Sequence, residues 1–302
     1  MMIRTSVMSD SFAEQLDFTV LADNLAEDGL LSEWGLSILF HVAASPERSS
    51  ASHACRTGTR ILLDGGMSDA FCKNAAVLGM DLSEIDIAVL SHAHYDHADG
   101  LEAFFSANTR ANVYLQACCA NNCFRRKSDG SYKYIGIRAG MLEQHADRFI
   151  RVSAEKLEIA PAVYLIPHKK RDYRKIAIRG RLYHQVNGEM LPEDFAHEQS
   201  LVFRRREGLV ICNSCSHTGP AGIVEEVREA MGEERIFAYI GGLHLFDLPD
   251  EEILQTAQEL ASADIAHIYT GHCTGDHAFA ILKEQLGERI EQFYAGFQPV
   301  FG

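Results

Sequence analysis

The sequence predicts an α/β layer protein. Three observations carry that expectation: short apolar runs bounded by turn residues recur along the chain, helix signals fall between several of them, and the composition is ordinary for a globular protein. At 302 residues, with 47% hydrophobic and 23% charged side chains, there is ample chain for one large domain or two smaller ones. Disorder and a disulfide miniprotein are excluded on the same grounds.

Taken in order, strands are expected at Phe18 to Ala22, Leu36 to Val42, Thr59 to Leu63 and Ile85 to Leu90. Ser68 and Asp69 can cap a helix running to about Leu78, which Gly79 would end. Ala98 to Ser106 reads as a second helix. From Cys118 to His197 the signals are sparse. Beyond it come strands at Ser200 to Arg204 and Leu209 to Asn213, a helix over Ala221 to Met231 and a strand at Ile236 to Ile240. A helix over Asp250 to Ala261 and a strand at Ile265 to Tyr269 complete the plan.

Charge is unevenly spread. The net of −14 disfavours a nucleic-acid coat or a polybasic membrane binder. Yet Phe124 to Arg181 holds 15 Lys and Arg against 6 Asp and Glu, a net of +9 that leaves −23 on the rest. The run is densest at Lys169, Lys170, Arg171, Arg174, Lys175, Arg179 and Arg181. It reads either as a solvated loop or as a lid over an anionic, phosphorylated substrate. No apolar run reaches the roughly 18 residues of a spanning helix, and Met1 to Asp28 lacks the basic and apolar blocks of a signal peptide. Eight cysteines in a chain this long do not read as a disulfide framework. A cytoplasmic location is the expectation.

Fourteen histidines invite a search for metal ligands. The strongest feature is Ser91-His92-Ala93-His94-Tyr95-Asp96-His97-Ala98-Asp99-Gly100, directly after the apolar strand. His92 and His94, two apart in extended chain, point to one side, and Asp96 and His97 turn back towards the same space. Imidazole nitrogen and carboxylate oxygen suit zinc, manganese or iron, and the absence of thiolate argues against a purely structural zinc clip. A Walker loop, a Gly-x-Gly-x-x-Gly fingerprint and a Gly-x-Ser-x-Gly elbow are all absent.

This loop resembles the hallmark of the metallo-β-lactamase superfamily. Arg60-Ile61-Leu62-Leu63-Asp64-Gly65-Gly66 resembles its early strand ending in a supporting Asp. Leu21-Ala22-Asp23-Asn24, Glu33-Trp34-Gly35-Leu36-Ser37-Ile38, Asn213-Ser214-Cys215-Ser216-His217, Gly241-Gly242-Leu243-His244-Leu245 and Gly271-His272-Cys273-Thr274-Gly275 are similar to one branch of it. That branch holds the dihydropterin aminobenzene-phosphate synthases and related metal-dependent hydrolases. The resemblance implies an αββα sandwich, here a single domain over residues 1–302 with a basic insert at about 118–196. It also implies a dinuclear site of two divalent ions, zinc first, with manganese or iron as alternatives.

The resemblance makes His92, His94, Asp96, His97 and His272 ligands. His217 is preferred to complete the first metal, because Ser216-His217-Thr218-Gly219 matches the branch. The alternative is His197 as the third histidine, with Cys215 bridging. Asp96 and His244 are the candidate catalytic residues, His244 through substrate contact. Cys212 and Cys215 form a Cys-x-x-Cys at a strand end, where a redox pair is not expected. Cys118, Cys119 and Cys123 read as reduced thiols rather than a zinc site with a histidine. A dinuclear centre lowers the pKa of bound water from near 16 to roughly 7, so the expected function is hydrolysis, or a related synthase reaction, by metal-bound hydroxide on a small anionic, phosphorylated substrate. A non-catalytic ligand sensor and an RNA-processing nuclease are the competing readings. The partners expected are that substrate and a second copy of the chain, with neither nucleic acid nor membrane.

Overall fold

The structure, a computed structural model, describes residues 11–43, 58–153, 155–169, 177, 180–232 and 235–299. Strands β1 (Gln15–Ala22), β2 (Ser37–Ala43), β3 (Thr59–Leu63), β4 (Ile87–Val89), β5 (Asn112–Gln116) and β8 (Phe149–Val152) form one sheet in that order. Between β5 and β8 lie β6 (Cys123–Arg126) and β7 (Tyr132–Tyr134). After β8 come β9 (Leu157–Ala160), β10 (Val163–Pro167), β11 (Leu182–Val186), β12 (Glu189–Pro192), β13 (Gln199–Arg205), β14 (Gly208–Cys212), β15 (Ile236–Ile240), β16 (Ile265–Thr270) and β17 (Ile290–Gln292). The second large sheet has the order β17-β16-β15-β14-β13-β10-β9, and β12-β11-β6-β7 make a small third sheet.

Period-two patterning decides which faces meet. Ile38, Phe40 and Val42 of β2 and Leu201 and Phe203 of β13 point into a common core between the large sheets, while Val202 points to the other face. Phe40 lies 5.0 Å from Phe203 and Phe18 lies 5.7 Å from Tyr269, ring centre to ring centre, so aromatic edges bridge the two layers.

Helices α1 (Ala70–Val77), α2 (Tyr95–Ala98), α3 (Leu101–Ala107) and α4 (Met141–Gln144) lie in the first half. Phe71 of α1 and Phe104 of α3 pack on Leu62, Ala88 and Val113 of the first sheet. In the second half α5 (Pro220–Met231), α6 (Asp250–Ser262) and α7 (Asp276–Leu286) place Val227, Leu260 and Leu282 on Ile211, Tyr239 and Ile268. The chain therefore forms the αββα sandwich, each sheet burying one face on its partner and the other under helices.

The differences from expectation are local. Ile85 to Leu90 is a strand only over β4, since Ile85 still closes a 3-10 turn. Ala98 to Ser106 splits into α2 and α3 around Gly100. Asp69 is the N-cap residue of α1, but its side chain pairs with Lys73, and the Ala70 N–H is taken instead by Ser68 Oγ at 3.1 Å. Gly79 ends the helix at φ 71°. The sparse stretch 118–196 is strand-rich: β8, β9 and β10 join the large sheets, so only its two ends, β6–β7 and β11–β12, build the small sheet. Lys170, Arg171, Arg174, Lys175 and Arg179, the heart of the basic run, lie outside the described residues. Among the described residues no helix is long and apolar enough to cross a membrane.

Parallel pairing of β3 with β4 and of β14, β15 and β16 sends the C-terminal ends of these strands to one edge of the sandwich. Gly100 lets the loop after β4 close against the loop after β3: a Cβ there would sit 1.9 Å from the Gly65 carbonyl oxygen. Gly100→Ala should therefore cost roughly 2–3 kcal/mol by overpacking, read as a lowered denaturant midpoint at unchanged slope. An unchanged midpoint would show that this closure is slack.

Candidate metal centre

Five loops converge at that edge: the ones after β3 (Asp64), β4 (His92 to His97), β14 (Cys215 and His217), β15 (His244) and β16 (His272). Asp64, Ser216, His244 and His272 all stand at φ between 46° and 60°, a left-handed backbone costing non-glycine residues of order 1–3 kcal/mol each. Such strain concentrates where loops are held in shape for function.

Asp64 is fully buried and accepts three hydrogen bonds: from the Ser91 N–H at 2.7 Å, the Ser91 hydroxyl at 2.6 Å and His97 Nδ1 at 2.8 Å. Ser91 Oγ, having given its proton to Asp64, accepts from His92 Nδ1 at 2.8 Å. Both rings thus keep Nε2 as a bare acceptor. His272 is set likewise, with Nδ1 at 3.1 Å from Asn24 Oδ1 and the amide of Asn24 pinned by its bond to the His272 carbonyl. Asp23 accepts the His272 N–H at 2.7 Å, and burial still lifts its carboxyl to about 7.

His97 Nε2 and His272 Nε2 then face each other at 3.2 Å, with Asp96 Oδ2 at 3.9 and 3.6 Å from them. Two lone pairs aimed at one point beside a carboxylate call for a cation. His92, His94 and His217 gather within 4.8 Å of one another by their ring nitrogens. His92 Nε2, His94 Nε2 and both nitrogens of His217 are buried without a hydrogen-bond partner. Orphaned nitrogens converging in this way fit a divalent ion, and His, Asp and Cys are its usual donors.

His217 owes its place to Phe195, which stacks on its ring at 4.8 Å, and to Glu198, whose carboxylate accepts the N–H groups of His217 and Thr218 at 2.8 and 3.1 Å. Cys215 sits between the two histidine sets, Sγ 3.2 Å from His97 Nε2 and 3.3 Å from Cys273 Sγ. Cys212 points into the core between the sheets, so it does not pair with Cys215. Cys273 is a neighbour the sequence reading passed over, although it follows His272 directly. His244, half-buried, lies 4.2 Å from the His217 ring, and its Nδ1 has no hydrogen-bond partner.

His197 goes elsewhere. Its ring nitrogen groups with His94, Cys123 and Glu193, and its ring centre stands 6.2 Å from that of His92. Of the three clustered cysteines only Cys123 joins it; Cys118 is exposed and Cys119 approaches only the His197 carbonyl.

Above the histidines lies a cavity of about 160 Å³ bounded by Trp34, Tyr95, Phe246, Arg125, Lys133 and Leu182. The last three come from the small sheet, so among the described residues Arg125 and Lys133 bring positive charge to the cavity wall. Trp34 donates to Asp96 at 3.1 Å and packs edge-on to Phe246 at 5.2 Å.

Residues 46–113 match the model of the metallo-β-lactamase superfamily. A dihydropterin-6-methyl-4-(β-D-ribofuranosyl)-aminobenzene-5'-phosphate synthase of Methanocaldococcus jannaschii is 26% identical over 88% of this chain and 89% of its own length. In sequence and in fold the chain is similar to members of the metallo-β-lactamase superfamily. The crystal structure of Tm1679, a metal-dependent hydrolase of the β-lactamase superfamily, superposes with a TM-score of 0.78 at 28% identity, covering 95% of this chain and 100% of that one. The fold protein YhfI of Bacillus subtilis gives a TM-score of 0.55 at 13% identity over 95% of this chain and 100% of its own, a likeness of fold alone.

Two outcomes test this geometry. Asp64→Asn removes the acceptor that orients His97 and Ser91 together; metal affinity, titrated against a competing chelator, should fall about 10–100-fold, and an unchanged affinity would remove Asp64 from this role. Burial, reinforced by neighbouring imidazoles, holds His92 and His217 far below their ordinary value; burial chiefly also lowers His94 and His272 to about 3. Burial disfavours the His97 cation too, but Asp96 and Asp64 outweigh it and raise that one group. The unfolded chain therefore binds more protons than the metal-free fold below about pH 6.5. Stability of chelator-stripped protein should drop from pH 7 to pH 5, and equal denaturant midpoints would contradict it.

Proposed function

We propose that the chain is a metal-dependent hydrolase or related synthase acting on a small phosphorylated compound with an aromatic, pterin-like part. One observation carries the reading: converging unpartnered histidine nitrogens open onto a cavity with two cations and three aromatic rings on its walls. In it, His92, His94 and His217 would hold one divalent ion and Asp96, His97 and His272 a second, with the Cys215 thiol beside both sets. Two ions so held would supply Lewis acidity and an activated water. The relative from Methanocaldococcus jannaschii, whose name includes a pterin, an aminobenzene and a phosphate, supports the substrate class.

The chain's own side chains divide the remaining work. Arg125, backed by Asp247 at 3.5 Å, and Lys133, 5.6 Å above the Tyr95 ring, pair with the substrate phosphate. Trp34 and Phe246 pack against its ring. Asp96 stays fixed by the Trp34 indole, and His244, at the mouth beside His217, gives or takes a proton at the leaving group.

A panel of phosphoesters and phosphorylated aromatic compounds tests the reading on zinc-, manganese- and iron-loaded protein. Turnover should vanish on chelation and return with metal, and His92→Ala should lower kcat/KM by about 10³-fold or more, the several kcal/mol a Lewis acid contributes. Arg125→Ala should raise KM about 10-fold, roughly 1.4 kcal/mol, with kcat nearly unchanged. Full turnover in His92→Ala, or an inert wild type across the panel, would sink it. Ligand binding without turnover would point to a sensor.

A further inference from the structure

We propose that Cys123, Glu193 and His197 form an additional site for a thiophilic divalent ion of the zinc class, set beside the central cluster with His94 between the two. The donor atoms of these three residues and of His94 all lie within 4.8 Å of one another, and all four residues are buried.

Three features point to an ion rather than to a plain buried ion pair. Glu193 is 1% exposed, and the groups that face its carboxylate, His184 Nδ1 at 3.2 Å and His197 Nε2 at 3.6 Å, leave both oxygens without a well-formed hydrogen bond. A buried carboxylate left in that state is costly unless a cation faces it. The spacing is also that of ligands: His197 Nε2 stands 3.6 Å from Glu193 Oε1 and 3.7 Å from Cys123 Sγ. The first distance is too long for the hydrogen bond that a histidine and a glutamate buried together would close to. Zinc bonds of about 2.0–2.3 Å in a tetrahedron place ligand atoms roughly 3.3–3.6 Å apart, close to what is seen. Finally, the carboxylate has an outer partner. His184 Nδ1 lies 3.2 Å from the same Glu193 oxygen, an arrangement that orients metal-binding carboxylates.

The donor set is one thiolate, one carboxylate and one imidazole, which suits zinc better than magnesium or calcium. Water would complete the tetrahedron, since the one lone pair of the neutral His94 ring belongs to the central cluster. Loading has one local cost: metal on Nε2 moves the His197 ring proton to Nδ1, which now accepts the Ala93 N–H at 3.2 Å, so that weak contact must open. Cys123 comes from β6 and Glu193 from the turn after β12, so an ion here would also clip the small sheet, which carries Arg125 and Lys133, to the histidine loop.

The test is crystallographic and needs no variant. Protein stripped with chelator and crystallised with excess zinc should show, at the zinc absorption edge, an anomalous peak within bonding distance of Cys123 Sγ, Glu193 and His197 Nε2, separate from peaks at His92 or His272. Zinc peaks at the central cluster with none at Cys123 would overturn the site while leaving the proposed function standing. In solution, Cys123→Ser and Glu193→Gln should each bind one equivalent of zinc fewer than the wild type. With cobalt, a Cys215→Ser/Cys273→Ser protein should keep a thiolate-to-metal charge-transfer band that adding Cys123→Ser removes. Equal zinc stoichiometry in wild type and folded Cys123→Ser, or a band that survives its loss, would count against the proposal.

Discussion

A single buried carboxylate ties the two strand-end loops of the first sheet together. Asp64 follows β3 at a left-handed φ of 60° and accepts from Ser91 twice and from His97 once. Those bonds dictate ring tautomers: the Nδ1 protons of His97 and His92 are committed to Asp64 and to Ser91, which leaves their Nε2 lone pairs facing the centre. Without that acceptor the rings could turn or exchange protons, and the convergence of nitrogens would lose its single geometry.

The second sheet answers with a different device. Glu198 grips two consecutive backbone N–H groups and Phe195 stacks on the ring, so His217 is set by a loop from outside its own strand. His272 is set by Asp23 and Asn24, which follow β1 in the opposite sheet. His97, His217 and His272 are therefore aligned by residues distant in sequence, and four left-handed residues are retained where the loops turn into the site. Burial of so many imidazoles also keeps most of them neutral, the state in which nitrogen can donate a lone pair.

The small sheet gives the chain its own character. Its strands come from the two ends of a stretch whose middle enters the large sheets. It covers the histidines with Arg125 and Lys133, and it brings Cys123 and Glu193 to the flank of His94. Positive charge thus reaches the site through two residues of the small sheet, despite the −14 of the whole chain.

Much of this was legible in order along the chain. The alternation of β2 and β13, the apolar run before Ser91, the ending of α1 at Gly79 and the tight spacing of His92, His94, Asp96 and His97 are local signals, because strand period, left-handed glycine and ligand spacing act over a few residues. The strands from β5 to β12 escaped because each is only three to five residues long, most are partly exposed, and some pairings, such as β11 with β6, join segments far apart in sequence. Cys123 and His197 carry no mutual signal, being 74 residues apart. The sequence by itself determined the α/β class and the His-x-His-x-Asp-His loop; only the tertiary structure decided that the His217 ring stands with His92 and His94 while the His197 ring stands with His94, Cys123 and Glu193. The reason is physical: a ring goes where packing and hydrogen bonds from other elements leave it, and here Phe195, Glu198 and the small sheet made that choice.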